Sequence, residues 1–127
     1  MYLIFDGGNG GANVKKGYGS FRIYESKGGV LLHRVDRFQF LQDMTSNEAE
    51  YNTLILALAC ILDNFKRPDH LTIEGDSELL RSQVLGLYRI NKAHLRVLRE
   101  HIVRQLEGIS YTYNHIAREI VYKEFGH

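Results

Sequence analysis

Apolar positions along the chain follow two different periods. The run YLIF (2–5) is short, apolar and bounded by DGGNGG, so it reads as a buried strand. In GYGSFRIYES (17–26), Phe21 and Ile23 alternate with Arg22 and Tyr24, the period of a half-buried strand. SKGG (26–29) is a turn, and VLLHRVDRFQF (30–40) is the returning strand of a hairpin. A three-stranded meander follows. The period then lengthens. Tyr51, Leu54, Ile55, Leu58, Ile61, Leu62 and Phe65 recur at helical spacing until RPDH ends the helix. LTIEGD (71–76) is a short strand with Leu71 and Ile73 on one face, and SELLRSQVLG (77–86) is a helix closed by Gly86. A further helix runs from Lys92 to Leu106 with Leu95, Leu98, Ile102 and Leu106 as its stripe. ISYTYNHI (109–116) alternates like a strand, and AREIVYKEFGH starts a short last helix.

The order is therefore β-β-β-α-β-α-α-β with a short C-terminal helix. Antiparallel strands followed by αβ units predict an α/β protein, a five-stranded mixed sheet with helices packed on it. With 127 residues and no repeat or linker, residues 1–127 read as one domain, long enough to bury a core without disulfides. The lone Cys60 suits a reducing compartment. No apolar run reaches membrane-span length and MYLIFDGG has no basic leader, so the expectation is a cytoplasmic protein without a membrane partner. The net charge of +1 does not announce a nucleic-acid binder. It leaves room for one that works through metal ions and a small basic strip. Lys92, Arg96 and Arg99, opposite the apolar stripe, form such a strip or simply a solvated face, with Glu100 and Arg104 able to pair beside it.

Candidate chemistry starts with two glutamates in TSNEAEY (45–51). Their side chains point roughly 200° apart on a helix, so they have different tasks. Thr45 and Glu48 fit the capping box S/T-x-x-E, which gives Glu48 a structural role. Glu50 shares a face with Asn47 at the edge of the apolar stripe, as a solvated carboxylate or as one that meets a cation. Asp6 and Asp76 each end a strand. Alone, each reads as a turn residue or helix cap. If the two strands are neighbours, the three acids converge, and such a cluster needs a neutralising cation. Oxygen donors without a His/Cys cluster favour Mg²⁺ or Mn²⁺ over Zn²⁺. DGGNGG is neither a P-loop nor a dinucleotide fingerprint, since no GK[ST] follows and a strand comes next. Its glycines suit a tight turn and a close backbone approach.

Four blocks, IFDGG…GYG, TSNEAEYNTLILAL, IEGDSELLRSQVLG and YNHIARE, follow in order over nearly the whole chain. Together they resemble the type 1 ribonuclease H family, in particular its short archaeal and bacterial branch; the spacing from Asp6 to Gly19 agrees as well. The resemblance implies a ribonuclease H-like fold. It also implies a metal-dependent endonuclease that hydrolyses the RNA strand of RNA–DNA hybrids with two Mg²⁺ ions. Asp6, Glu50 and Asp76 would be the catalytic carboxylates and metal ligands, and His115 would assist proton movement or product release. Gly7, Gly8 and Asn9 would contact the hybrid, and Ser46 and Asn47 would read 2′-hydroxyls and bases. Glu78 stands where the family often has Gln. Phe125 stands where the fourth carboxylate should fall, which leaves the neighbouring Glu124 as the candidate ligand. That departure supports an alternative, a weakened or inactive nucleic-acid-binding or partner-binding domain. A relative acting on double-stranded RNA is a third reading. LYRINKAH (87–94) is too short for the family's basic protrusion, so hybrid affinity should be modest and salt-dependent.

Overall fold

The computed structural model describes residues 1–11 and 15–127. Its strands are β1 (Tyr2–Gly8), β2 (Lys15–Tyr24), β3 (Leu31–Met44), β4 (His70–Gly75) and β5 (Ser110–His115). Its helices are α1 (Ser46–Asn64), α2 (Glu78–Val84), α3 (Ala93–Gln105) and α4 (Arg118–Phe125). The five strands form one sheet in the order β3-β2-β1-β4-β5. The β1–β2 and β2–β3 pairs are antiparallel, and the β1–β4 and β4–β5 pairs are parallel. The mixed sheet with packed helices and a short C-terminal helix is thus as the hydrophobic pattern predicts.

One sheet face presents Leu3, Phe5, Phe21, Ile23, Leu71 and Ile73, all buried against Tyr51, Leu54, Leu58 and Ile61 of α1 and Leu95 and Ile102 of α3. Tyr51 is held further by its hydroxyl, which donates to Gln83 Oε1 at 2.8 Å. On the opposite face, α4 buries Val121. Among the described residues no helix is long and apolar enough to cross a membrane.

Two elements run further than the pattern predicts. β1 continues through Asp6 to Gly8, because Asp6, Gly7 and Gly8 pair with Ser20, Gly19 and Tyr18. The bend falls instead at Gly10 and Gly11, whose φ values of 76° and 89° suit glycine. β3 continues to Met44 and carries irregularities. At one of them Gly19 faces Phe38 while Phe21 faces Val35, so β3 holds an extra residue, a bulge. There Arg37 takes a φ of 27°.

Two glycines set how closely α1 lies on the sheet. A Cβ on Gly7 would come within 2.9 Å of the Ala49 carbonyl oxygen and 3.0 Å of Glu50 Cα. One on Gly19 would overlap the Thr53 hydroxyl. The predicted close backbone approach is therefore real at Gly7, and it brings Glu50 next to the C-terminal end of β1.

The start of α1 settles the two glutamates. Glu48 N–H donates to Thr45 Oγ1 at 3.1 Å, and Thr45 N–H donates to Glu48 Oε1 at 3.2 Å, so the capping box is complete. Thr45→Ala is expected to cost about 1 kcal/mol of stability, read from the urea midpoint, with cleavage per folded molecule retained.

Candidate active site

The parallel β1–β4 register pairs Tyr2 with Thr72 and Ile4 with Glu74. Continued by one more same-face pair, it sets Asp6 beside Asp76. Both acids thus lie at the carboxyl ends of neighbouring parallel strands, where α/β sheets gather ligands. Asp6, Glu50 and Asp76 line one cavity of about 430 Å³, together with Gly7, Gly8, Tyr18, Ser46 and Arg118. A wider hollow of about 660 Å³ at the α2–α3 junction is lined by Tyr88, Arg96 and Arg99 and contains none of the three acids.

Electrostatics ties the trio together. Burial, then the negative charge of Asp76, pushes the Asp6 carboxyl up to about 7; the Gly7 N–H and the guanidinium groups of Arg118 and Arg37 oppose this. Burial and Asp76 likewise push Glu50 up to about 8, with Asp6 adding to the rise and the Ser77 hydroxyl opposing it. Among the described residues, no three His, Cys, Asp or Glu side chains are gathered tightly enough to hold an ion as they stand. The donor set nonetheless suits a hard divalent cation. Asp6 and Glu50, whose ionisation is hindered by burial and by the charge of Asp76, would be relieved by a positive charge among the three acids. At present the cation nearest Asp76 is the 84% exposed Arg118 at 4.0 Å, a weak and displaceable partner.

Several expected residues are placed differently. Asn9 is 1% exposed. Its amide donates to the Met44 carbonyl at 3.0 Å, and its Oδ1 accepts from Gly11 N–H at 3.1 Å and Ser46 Oγ at 2.8 Å. It fastens the glycine turn to the start of α1, and it lines the cavity with the three acids. Ser46 is exposed and does line the cavity. Asn47 does not line it; its Oδ1 is buried without a hydrogen-bond partner. Glu78 lies outside the cavity lining as well, with its carboxylate taken by Ser82 Oγ at 2.9 Å and Arg81 at 3.2 Å. His115 sits beside the acids, with Nε2 3.1 Å from the Asp76 carbonyl and Nδ1 3.6 Å from Glu78. Glu124 is engaged by other partners and does not line the cavity. Arg22 at 2.6 Å and the Tyr24 hydroxyl at 3.0 Å occupy its Oε2. The pairing has a simple physical cause: the Arg22 guanidinium on β2 attracts the carboxylate.

The basic strip on α3 also has other work. Arg99 donates to the carbonyls of Gln83 and Val84 at 2.8 and 3.3 Å, and Arg96 to those of Ile90 and Asn91 at 3.0 and 3.2 Å. These guanidinium groups satisfy carbonyls at the end of α2 and in the loop after it. Residues that the sequence did not single out are His127, Tyr18 and Arg118. Tyr18 was accessible in principle, since it pairs across from Gly8. Nothing in the pattern pointed to His127, whose Nδ1 lies 2.8 Å from Asp6 Oδ2.

The sequence profile described as reverse transcriptase-like matches residues 6–122, from the first of the three acids into α4. The chain belongs to the reverse transcriptase-like family. The chain is similar to solved type 1 ribonucleases H, consistent with the resemblance of the sequence blocks. RNase H1 from the halophilic archaeon Halobacterium salinarum is 27% identical, with a TM-score of 0.81 covering 94% of this chain and 86% of that one. LC11-RNase H1, isolated from compost by a metagenomic approach, is 26% identical, with a TM-score of 0.82 over 96% and 87%. A structure of LC11-RNase H1 in complex with RNA/DNA hybrid is similar at 25% identity and a TM-score of 0.80, over 94% and 86%. No curated protein matches the chain.

Proposed function

We propose that this family member is a metal-dependent endonuclease that hydrolyses the RNA strand of RNA–DNA hybrids. The observation that carries the reading is the lining of one cavity by Asp6, Glu50 and Asp76, with two of them pushed towards protonation. The hybrid bound to a similar protein supports the choice of substrate.

Asp6, Glu50 and Asp76 would hold Mg²⁺ or Mn²⁺. When bound there, such ions would supply water activation and neutralisation of the charge developing on the leaving 3′-oxygen. The chain's own residues do the rest. Gly7 lets α1 approach so that Glu50 reaches the end of β1. The Ser77 hydroxyl, bonded to Glu50, favours its ionised form. Ser46 and the backbone of residues 7–11 are the groups that can sense a 2′-hydroxyl at the cavity wall. A neighbouring hollow of about 300 Å³, lined by Lys15, Lys16, Arg37 and Tyr18, offers cations to a phosphodiester backbone. Because these contacts are ionic, hybrid binding is expected to weaken as salt rises, with a slope set by these few cations, as a filter-binding series from low to physiological ionic strength would reveal. A flat response removes this hollow as the phosphate contact.

One observation favours a second reading, a binding domain without turnover: Phe125 replaces the fourth acid and Glu124 is engaged by Arg22. Incubating a labelled hybrid with Mg²⁺ or Mn²⁺ separates the two. The nuclease reading predicts cleavage by the parent and none by Asp6→Asn. A parent that binds the hybrid without cutting it supports the second reading.

A further inference from the structure

His127 touches the site but belongs to none of the expected positions. Its side chain is 7% exposed and both ring nitrogens are engaged. Nε2 lies 2.6 Å from Ser20 Oγ and Nδ1 lies 2.8 Å from Asp6 Oδ2. Ser20 Oγ accepts from the Arg37 backbone N–H at 2.8 Å, at the β3 bulge. An ionised Asp6 carboxylate can only accept, so a neutral ring turns Nδ1–H towards it and leaves Nε2 to accept from the Ser20 hydroxyl hydrogen. A neutral imidazole that accepts at Nε2 carries its proton on Nδ1, facing the Asp6 carboxylate. The ring is held edge-on by Tyr18, with centroids 5.0 Å apart, and stacked by Phe125 at 5.8 Å and 21°. Phe125, where an acid was expected, is therefore the ring's support, and the Arg22 guanidinium in turn lies over the Phe125 ring, 5.4 Å from its centroid.

We infer that His127 is a positioning residue for a divalent-cation site: the chain Arg37 N–H, Ser20 Oγ–H, His127 Nδ1–H fixes the Asp6 carboxylate, in place of a fourth acid. This rests on the reading of the three acids as metal ligands. A fourth carboxylate would bring a fourth negative charge. A neutral imidazole donor instead pins one oxygen of Asp6 and orders the group before an ion arrives. The partners that orient a ligand in this way set affinity as much as the ligand does.

Isothermal titration of Mn²⁺ into the metal-free full chain tests this, with circular dichroism on each variant. His127→Ala is expected to weaken Mn²⁺ binding about tenfold or more. Ser20→Ala weakens it less, since Nδ1 keeps its proton in only part of the population. His127→Asn, whose amide N–H can replace Nδ1–H, recovers most of the affinity. Folded His127→Ala protein that binds Mn²⁺ as tightly as the parent, or more tightly, overturns the inference; so does a loss in His127→Asn as large as that in His127→Ala. If His127→Ala fails to fold, Ser20→Ala decides: weaker binding supports the inference and unchanged binding overturns it. A parent that binds no Mn²⁺ overturns the metal reading itself, and the inference with it, which keeps the two failures apart.

Discussion

Asp6→Asn and Glu50→Gln are each expected to lower hybrid cleavage by about a thousandfold or more, a barrier increase of roughly 4 kcal/mol, while leaving the metal-free protein more stable above pH 7. The two effects come from one cause. Asp6 is buried and Glu50 partly buried beside Asp76, and their ionised forms are disfavoured, with pKa values of about 7 and about 8. A neutral amide removes that repulsion and also removes a cation ligand. A residue that served packing alone would lose stability on substitution. Glu48→Gln is the internal control. Its carboxylate caps α1 and accepts from the Thr45 N–H, so the change costs little cleavage. Loss of cleavage in Glu48→Gln equal to that in Glu50→Gln would contradict the division of labour between the two glutamates. A fall in melting temperature for both Asp6→Asn and Glu50→Gln at pH 8 would contradict the electrostatic argument.

The second large effect is on stability against pH. Both carboxyls have folded-state pKa values raised above the ordinary carboxylate range. Between about pH 4 and pH 8 the folded state therefore holds more protons than the unfolded state, and stability falls as pH rises. The fall amounts to a few kcal/mol, roughly 1.4 kcal/mol per pKa unit before allowing for coupling between the two groups. It levels off above the folded-state values. Millimolar Mg²⁺ should restore stability at pH 8 and do little at pH 5, because binding must displace protons. Thermal melts at several pH values with and without Mg²⁺ measure this directly. Metal-free stability that rises from pH 5 to pH 8, or an equal Mg²⁺ effect at both, would contradict the account.

What the chain reveals unaided follows the range of the interactions involved. The capping box is contained in residues 45–48, so its two hydrogen bonds were legible. The helix stripes at Tyr51, Leu54 and Leu58 and at Leu95 and Ile102 were legible for the same reason, and all are buried. Convergence of Asp6 and Asp76 was conditional on β1 and β4 being neighbours, which periodicity alone does not decide; the parallel register supplies it. β1 extends past Asp6 because Gly19 and Tyr18 of another strand provide partners for two glycines that locally read as a turn. The anchoring of Asn9 was not legible because it depends on Met44 and Ser46, which are distant in sequence. Arg96 and Arg99 look like a solvated or phosphate-facing stripe until the carbonyls around the end of α2 are seen to need donors. Glu124 and His127 are close in sequence yet serve different partners, Arg22 and Asp6. Only the seat of α4 on the sheet separates them.

Anomalous scattering from crystals grown with Mn²⁺ near pH 8 bears most directly on the claim that three acids from three elements share one ionic site. The account predicts strong peaks ligated by Asp6, Glu50 and Asp76, two of them about 3.5–4 Å apart. Density at Glu78 and His115 instead, or none in the cavity, would contradict it.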